Sequence, residues 1–308
     1  MRPGERTLRL LTEPLMAYLA PPGTTELVIN EPGRVGVECD GAWTWHDCDI
    51  DFEHLDALGN LAAVWTSQDF GPASPRCSTA LPQGYRVQIA RPPITKPGTI
   101  SVTIRKRSSA FVPTLDWLAE HGMFAALDQT VDWPAWFTSR IRACKTFLIG
   151  GKTGSGKTTL AEAMIRAIPL HERVLTIEKT AEFADLPHPG WLAQYYGYSG
   201  DGEQASNAAV QILEDALRQR PDRILFGELR AAGEAWGYLR GLKAGHPGGI
   251  TTIHAGSALG CVDALALMLR KTSEGMTDEH IRAEITQSVD VLVHCNREPY
   301  RVTEVVEI

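Results

Sequence analysis

The sequence contains no run approaching the ~18 consecutive apolar residues of a membrane-spanning helix. Its start lacks a signal layout too: Arg2, Arg6 and Arg9 interleave with Glu5 and Glu13, and no long apolar stretch follows. The chain is therefore read as cytoplasmic and not exported. The six cysteines (Cys39, Cys48, Cys77, Cys144, Cys261 and Cys295) include no C-x-x-C pair, which argues against a zinc knuckle or dithiol redox motif. Scattered single thiols suit a reducing compartment. There is no basic excess, with 30 Lys+Arg against 37 Asp+Glu and a formal charge of −7. Residues up to about 110 carry 11 basic and 12 acidic residues, the remainder 19 and 25, so neither part has the electrostatic footprint of a nucleic-acid binder. No internal repeat, no low-complexity tract and no guanine-reading N-K-x-D motif occurs.

What is present is a globular balance: 308 residues, 44% hydrophobic and 22% charged, enough for two domains with cores of their own. Residues 5–20 place Leu8, Leu11, Leu15 and Leu19 at helical spacing, and Pro14 is expected to kink or divide that helix. It reads as a membrane-surface helix or as one packing on its own domain. Its low basic content favours the second. Strand-like runs follow at 25–30, 34–39 and 42–46, with turn chemistry at Asn30 to Gly33 and at Asp40-Gly41. A helix at 51–66 and strands at 85–90 and 99–105 complete an α+β domain over 1–107, and 108–114 (SSAFVPT) reads as a linker. From 115 to 308 strands and helices alternate, which argues for a parallel sheet with crossover helices. Strands fall at 146–149, 173–177, 223–226 and 250–254, then at 289–295 and 300–306. The helices fall at 114–121, 132–143, 157–167, 205–219, 231–243, 258–270 and 277–287.

Gly151-Lys152-Thr153-Gly154-Ser155-Gly156-Lys157-Thr158 satisfies G-x-x-x-x-G-K-[ST] in full, and Thr159 continues it. The apolar strand Phe147, Leu148, Ile149 enters the loop and a helical pattern leaves it. Glycines let backbone amides curl around phosphate oxygens, and the helix N-terminus aims free N–H groups at the same anion. Lys157 is placed to reach the β- and γ-phosphates of ATP, and the Thr158 hydroxyl to ligate Mg²⁺.

Three further segments carry candidate chemistry. Ile224, Leu225 and Phe226 form a buried-strand run that ends in Gly227-Glu228, where a parallel sheet presents ligand-binding groups. Glu228 is suited to bind Mg²⁺ through water or to position an attacking water. Gly227 stands where an aspartate is usual. Glu178 and Glu182, four apart after the strand at 173–177, supply carboxylates that can both face the γ-phosphate of the nucleotide, and one of them can act as general base toward water. His246 and His254 flank the strand at 250–254, and spacing indicates no third metal ligand beside them.

In this order GGKTGSGKTT, TIEKTAEF, RPDRILFGELR and GHPGGITTIHA resemble the Walker A, Asp, Walker B and His boxes of the traffic ATPases of bacterial type IV secretion and conjugation. This VirB-eleven family lies within the type II/IV secretion motor superfamily. The likeness is strong over roughly 80–260. It implies a RecA-like P-loop NTPase domain of α/β class preceded by a smaller α+β domain. It implies a hexameric ring that hydrolyses Mg-ATP at subunit interfaces, peripheral at the cytoplasmic face of the inner membrane beside inner-membrane components of a secretion apparatus. By position, Glu182 matches the glutamate assigned as general base and Glu228 the one near Mg²⁺, two roles open to exchange. His246 and His254 match the His-box histidines. Arg86 and Arg105 match N-terminal-domain arginines that contact nucleotide phosphates. Lys179 departs from the family's aspartate after Glu178. No strong direct nucleic-acid binding is expected. Two rivals remain: a DNA-dependent translocase, which DNA would stimulate, and a non-hydrolysing scaffold, which would bind ATP without turnover.

Overall fold

The computed structural model describes residues 4–106, 112–179, 181–183, 186–196, 203–270 and 275–308. The expected linker at 108–114 lies largely outside them. Two compact units divide the chain, the first within Met1–Phe111 and the second over Val112–Tyr196 and Asp201–Ile308.

In the first unit, α1 (Glu5–Leu19) and α2 (Phe52–Trp65) accompany β1 (Thr24–Glu31), β2 (Arg34–Cys39), β3 (Ala42–Asp47), β4 (Arg76–Ala80), β5 (Arg86–Ala90) and β6 (Ser101–Arg105). The strands make an antiparallel sheet in the order β3-β2-β1-β6-β5-β4. Alternation puts Leu27, Ile29, Val35, Val87, Ile89, Val102 and Ile104 in one core with Leu8 and Leu15 of α1 and Leu55 and Leu58 of α2. Asp40 and Gly41, both at positive φ, form the two-residue turn between β2 and β3. Pro14 does not divide α1. The carbonyl that its missing N–H leaves without a partner belongs to Leu10, on the solvent side of the helix. Arg86 and Arg105 are direct cross-strand partners, and Arg105 Nε donates to Glu26 Oε1 at 2.6 Å.

The second unit opens with α3 (Leu115–Glu120), α4 (Trp133–Arg142), β7 (Phe147–Gly151), α5 (Lys157–Arg166), β8 (Val174–Glu178), β9 (Leu192–Tyr195) and α6 (Glu203–Ala216). It continues with β10 (Arg223–Phe226), β11 (Glu228–Leu229), α7 (Ala232–Lys243), β12 (Ile250–Ile253), α8 (Ala258–Leu269), α9 (Asp278–Thr286), β13 (Val291–Asn296) and β14 (Arg301–Glu307). Two ladders, β10-β8-β9 and β11-β12-β7-β13-β14, are parallel except for the last pair. They are joined where β10 runs through Gly227 into β11. The Gly227 amide donates to Ile177 O at 3.0 Å, and its carbonyl accepts from Thr252 Oγ1 at 2.9 Å. Strands buried on both faces read as continuous apolar runs, and separate cores cover the two faces. Leu148, Leu175, Ile224 and Ile253 pack with α6 to α9, whereas Phe147, Ile149, Val174 and Leu225 pack with α3 to α5. The short strands β4, β9 and β11 carry no strong sequence signal.

At the N-terminal end of this sheet Arg223, 1% exposed, donates Nε to Glu172 (2.6 Å), Nη1 to Gly248 O (3.2 Å) and Nη2 to Ile141 O (2.8 Å). Arg223→Met strands Glu172 and two carbonyls, so it is expected to lower stability by about 3 kcal/mol. Adding Glu172→Gln should recover part of that loss. Urea midpoints of the two variants check both values.

Candidate functional site

The parallel register brings the chemistry together. Ile253 pairs with Gly150, Thr252 with Glu228, and Ile177 with Phe226. Glu228 and the residues that follow these pairs (Gly151, Glu178, Gly227 and His254) therefore emerge at one edge, the C-terminal end of the sheet.

The loop after β7 is built for an anion. Gly151, Gly154 and Gly156 hold φ of 152°, 73° and 84°, conformations a side chain resists. A Cβ at Gly151 would lie 2.4 Å from Cys295 O and 2.5 Å from Ser155 Oγ. The helix α5 starts at Gly156 with no side-chain cap, as α1 does at Gly4, whereas α2, α3, α4, α8 and α9 are capped by Asp51, Thr114, Asp132, Ser257 and Thr277 and the start of α7 is met by Glu234. Its first amides thus stay open to a ligand. Lys157 is buried and folds back over the loop, donating to the carbonyls of Gly151 (2.8 Å) and Lys152 (2.7 Å). Burial pulls the Lys157 pKa down, and the charges of Glu228 and Glu182 oppose that shift. Ser155 is buried, and its hydroxyl has no hydrogen-bond partner among the described residues. Lys152, Thr153 and Gly154 are exposed on the loop, and Thr158 and Thr159 are half-buried in the first turn of α5.

Glu178 is fully buried and its oxygens are occupied within the chain. Thr176 Oγ1 donates to Oε1 at 2.7 Å, and the amides of Glu182 and Phe183 donate to Oε2 at 2.5 and 2.9 Å. Burial pushes its pKa up against the pull of these donors. Expected to face the nucleotide, Glu178 instead fastens the loop that carries Glu182. The side chain of Glu182 lies over Gly227, where a Cβ would stand 3.4 Å from Glu178 Cγ and 3.7 Å from Glu182 Oε2. An aspartate at 227 would press a third carboxylate onto those two.

Glu228 is held on both oxygens. His254 Nε2 lies 3.0 Å from Oε1, and Arg230 Nε donates to Oε2 at 2.6 Å. Arg230 Nη2 also comes within 3.9 Å of Glu182 Oε1. Burial opposes the charge of Arg230, but Glu228 and Glu182 outweigh it and hold the guanidinium above its usual pKa. Behind it, Glu234 accepts from the amides of Arg230 (2.7 Å) and Ala231 (3.1 Å) and hydrogen-bonds buried Tyr196. Sequence reasoning gave Arg230, Glu234 and Tyr196 no role. The signal was the two-residue spacing of Glu228 and Arg230, which puts both on one face of an extended segment.

His246 is not brought to this place. It lies in the segment before β12 (Ile250–Ile253), ahead of that strand's N-terminal end, whereas His254 follows its C-terminal end. Arg86 and Arg105 belong to the first unit. Among the described residues no group of three or more His, Cys, Asp and Glu is arranged to hold a metal. Mg²⁺ does not need such a cage. It is bound by one or two hard oxygen ligands together with phosphates, and the Thr158 hydroxyl and Glu228 carboxylate are of that kind.

A family model described as Type II/IV secretion system protein matches residues 76–298. The type IV secretion system protein VirB11 of Bartonella quintana (strain Toulouse) is 36% identical over 327 aligned residues, covering 95% of this chain and 90% of the relative. That of Brucella suis biovar 1 (strain 1330) is 36% identical, with 92% and 83% covered. Among solved structures, the VirB11 ATPase from the Brucella suis type IV secretion system in complex with sulphate is 33% identical, with a TM-score of 0.52 over 99% of this chain and 95% of that one. The Legionella pneumophila ATPase DotB, 18% identical, superposes with a TM-score of 0.63 over 93% and 75% and bears on the fold alone. The architecture is that of these proteins, an N-terminal α+β domain followed by a RecA-like α/β domain. With its family model spanning the phosphate loop and the three segments around it, this chain belongs to the type II/IV secretion system protein family.

Proposed function

We propose that the chain is an ATPase that hydrolyses Mg-ATP to energise a type IV secretion or conjugative transfer system. It works as a hexameric ring at the cytoplasmic face of the inner membrane, against inner-membrane components of that apparatus. One observation carries the reading: Lys157 and the open amides of α5 share the C-terminal edge of the sheet with Glu228, Glu182 and His254. The VirB11 names and ATPase descriptions of full-length relatives support it. The domains we assign are 1–107 and 115–308, joined by 108–114.

In this reading the amides of Gly154 to Thr158 and the Lys157 ammonium receive the β- and γ-phosphates, with Thr159 behind them. Thr158 and Glu228 would hold the magnesium, which would supply neutralisation of phosphate charge. Glu182 accepts a proton from the attacking water. The water oxygen bonds to the γ-phosphorus, and the bond to the β–γ bridging oxygen breaks with its electron pair leaving on ADP. Glu178 holds the Glu182 loop rigid and His254 orients Glu228. Arg86 and Arg105 supply cations to the phosphates, stabilising charge as it develops.

Lys157→Ala is expected to abolish measurable turnover and weaken nucleotide binding. Glu182→Gln and Glu228→Gln should each lower kcat by about 10²-fold or more while binding persists. A phosphate-release assay beside a binding titration checks the split, and DNA should leave the rate unchanged. Wild-type rates in both glutamine variants would overturn the roles.

The loop geometry gives a separate expectation. Gly151→Ala forces a Cβ against Cys295 O and should cost about 1–3 kcal/mol and disrupt nucleotide binding. Gly256→Ala, in open space, should change neither quantity. Denaturant midpoints and the same binding titration separate the two.

A further inference from the structure

Glu228 has two carboxylate oxygens, and both have partners in the chain: His254 on Oε1 and Arg230 on Oε2. The two partners differ in how readily they yield. An imidazole N–H can stay on one oxygen while a cation binds the other, as outer-shell donors to metal ligands do. A guanidinium cannot share Oε2 with a divalent cation without direct charge repulsion. Arg230 also has room to move. Its side chain is 47% exposed and that of His254 51%, whereas those of Glu228 and Glu182 are 10% and 8% exposed, so what singles out Arg230 is its permanent charge and not its exposure. Its backbone is fixed, since Glu234 clamps the amides of residues 230 and 231 and Tyr196 braces Glu234. A swing of the guanidinium therefore leaves the strand and Glu228 in place.

We propose that Arg230 is the chain's own competitor for the metal position: its guanidinium and a divalent cation address the same carboxylate oxygen of Glu228, beside Glu182, and each displaces the other. Metal–nucleotide loading then works against a built-in counter-ion, which keeps two adjacent buried carboxylates paired whenever the metal leaves. The inference rests on the reading of this edge as a metal–nucleotide site.

The test uses Mn²⁺ as probe. Its binding to the full chain is titrated by electron paramagnetic resonance at saturating ADP, for wild type, Arg230→Gln, Arg230→Lys and the double variant Arg230→Gln with Glu228→Gln. Arg230→Gln should tighten Mn²⁺ binding by roughly two- to fivefold, the range of a partly exposed ion pair. Arg230→Lys, which keeps the charge, should stay near wild type. In the double variant the gain should vanish, while ADP affinity without metal should not differ between wild type and the two single variants. Unchanged or weaker Mn²⁺ binding in Arg230→Gln, or a gain that persists without Glu228, overturns the proposal. An Arg230→Gln chain that fails to fold leaves the Lys variant to decide. There, a gain as large as the charge-removing change predicts would show that charge competition is not the cause. Wild type that binds neither ADP nor Mn²⁺ overturns the parent reading, and this one with it. Wild type that binds both, beside an unaltered Arg230→Gln, overturns this one alone.

Discussion

The register of the parallel ladder is the constraint from which the site follows. Hydrogen bonds between β7, β12 and β11, and between β8 and β10, fix which residues stand beside one another at the strand ends. A slip of one residue in β12 would turn its side chains to the opposite face and carry His254 away from Glu228. The register is held from the far end by Arg223, which ties the entry to β10 to the segments around residues 141, 172 and 248. One end of the sheet supplies rigidity and the other supplies chemistry.

At the chemical end, charge is balanced in a chain of contacts. Lys157 rests on main-chain carbonyls, Glu228 lies between His254 and Arg230, and Glu178 is spent on the loop that presents Glu182. Buried carboxylates at this density require partners, since an unpaired buried charge is costly. Gly227 belongs to the same balance. Its missing side chain leaves room for two glutamates where an aspartate would add a third anion.

Much of this was legible in the sequence. The phosphate loop announced itself by composition and by the apolar run of Phe147 to Ile149 before it, because a strand buried on both faces leaves an uninterrupted signal. Glu228 was legible for the same reason, standing at the end of Ile224 to Phe226. What stayed hidden depends on contacts distant along the chain. Glu178 and Glu182 look equivalent as letters, and only the fold of their loop makes one a fastener and sets the other over Gly227 beside Arg230. The two histidines look symmetric about β12, yet a strand has two ends and only His254 lies at the end that holds the loop. Pro14 suggested a divided helix, but a carbonyl left unpaired on the solvent side is satisfied by water at little cost. Arg230 was in plain view beside Glu228, but its second partner, Glu182, comes from a loop 48 residues earlier.

Nucleotide binding at this edge depends on an anion cradle formed by the backbone after β7. A crystal structure with magnesium and a non-hydrolysable ATP analogue tests this most directly. The β- and γ-phosphate oxygens are expected within about 3 Å of the amides of residues 154–158 and of Lys157 Nζ. An analogue bound elsewhere, with those amides bare of phosphate and Lys157 in contact only with the carbonyls of Gly151 and Lys152, would contradict it.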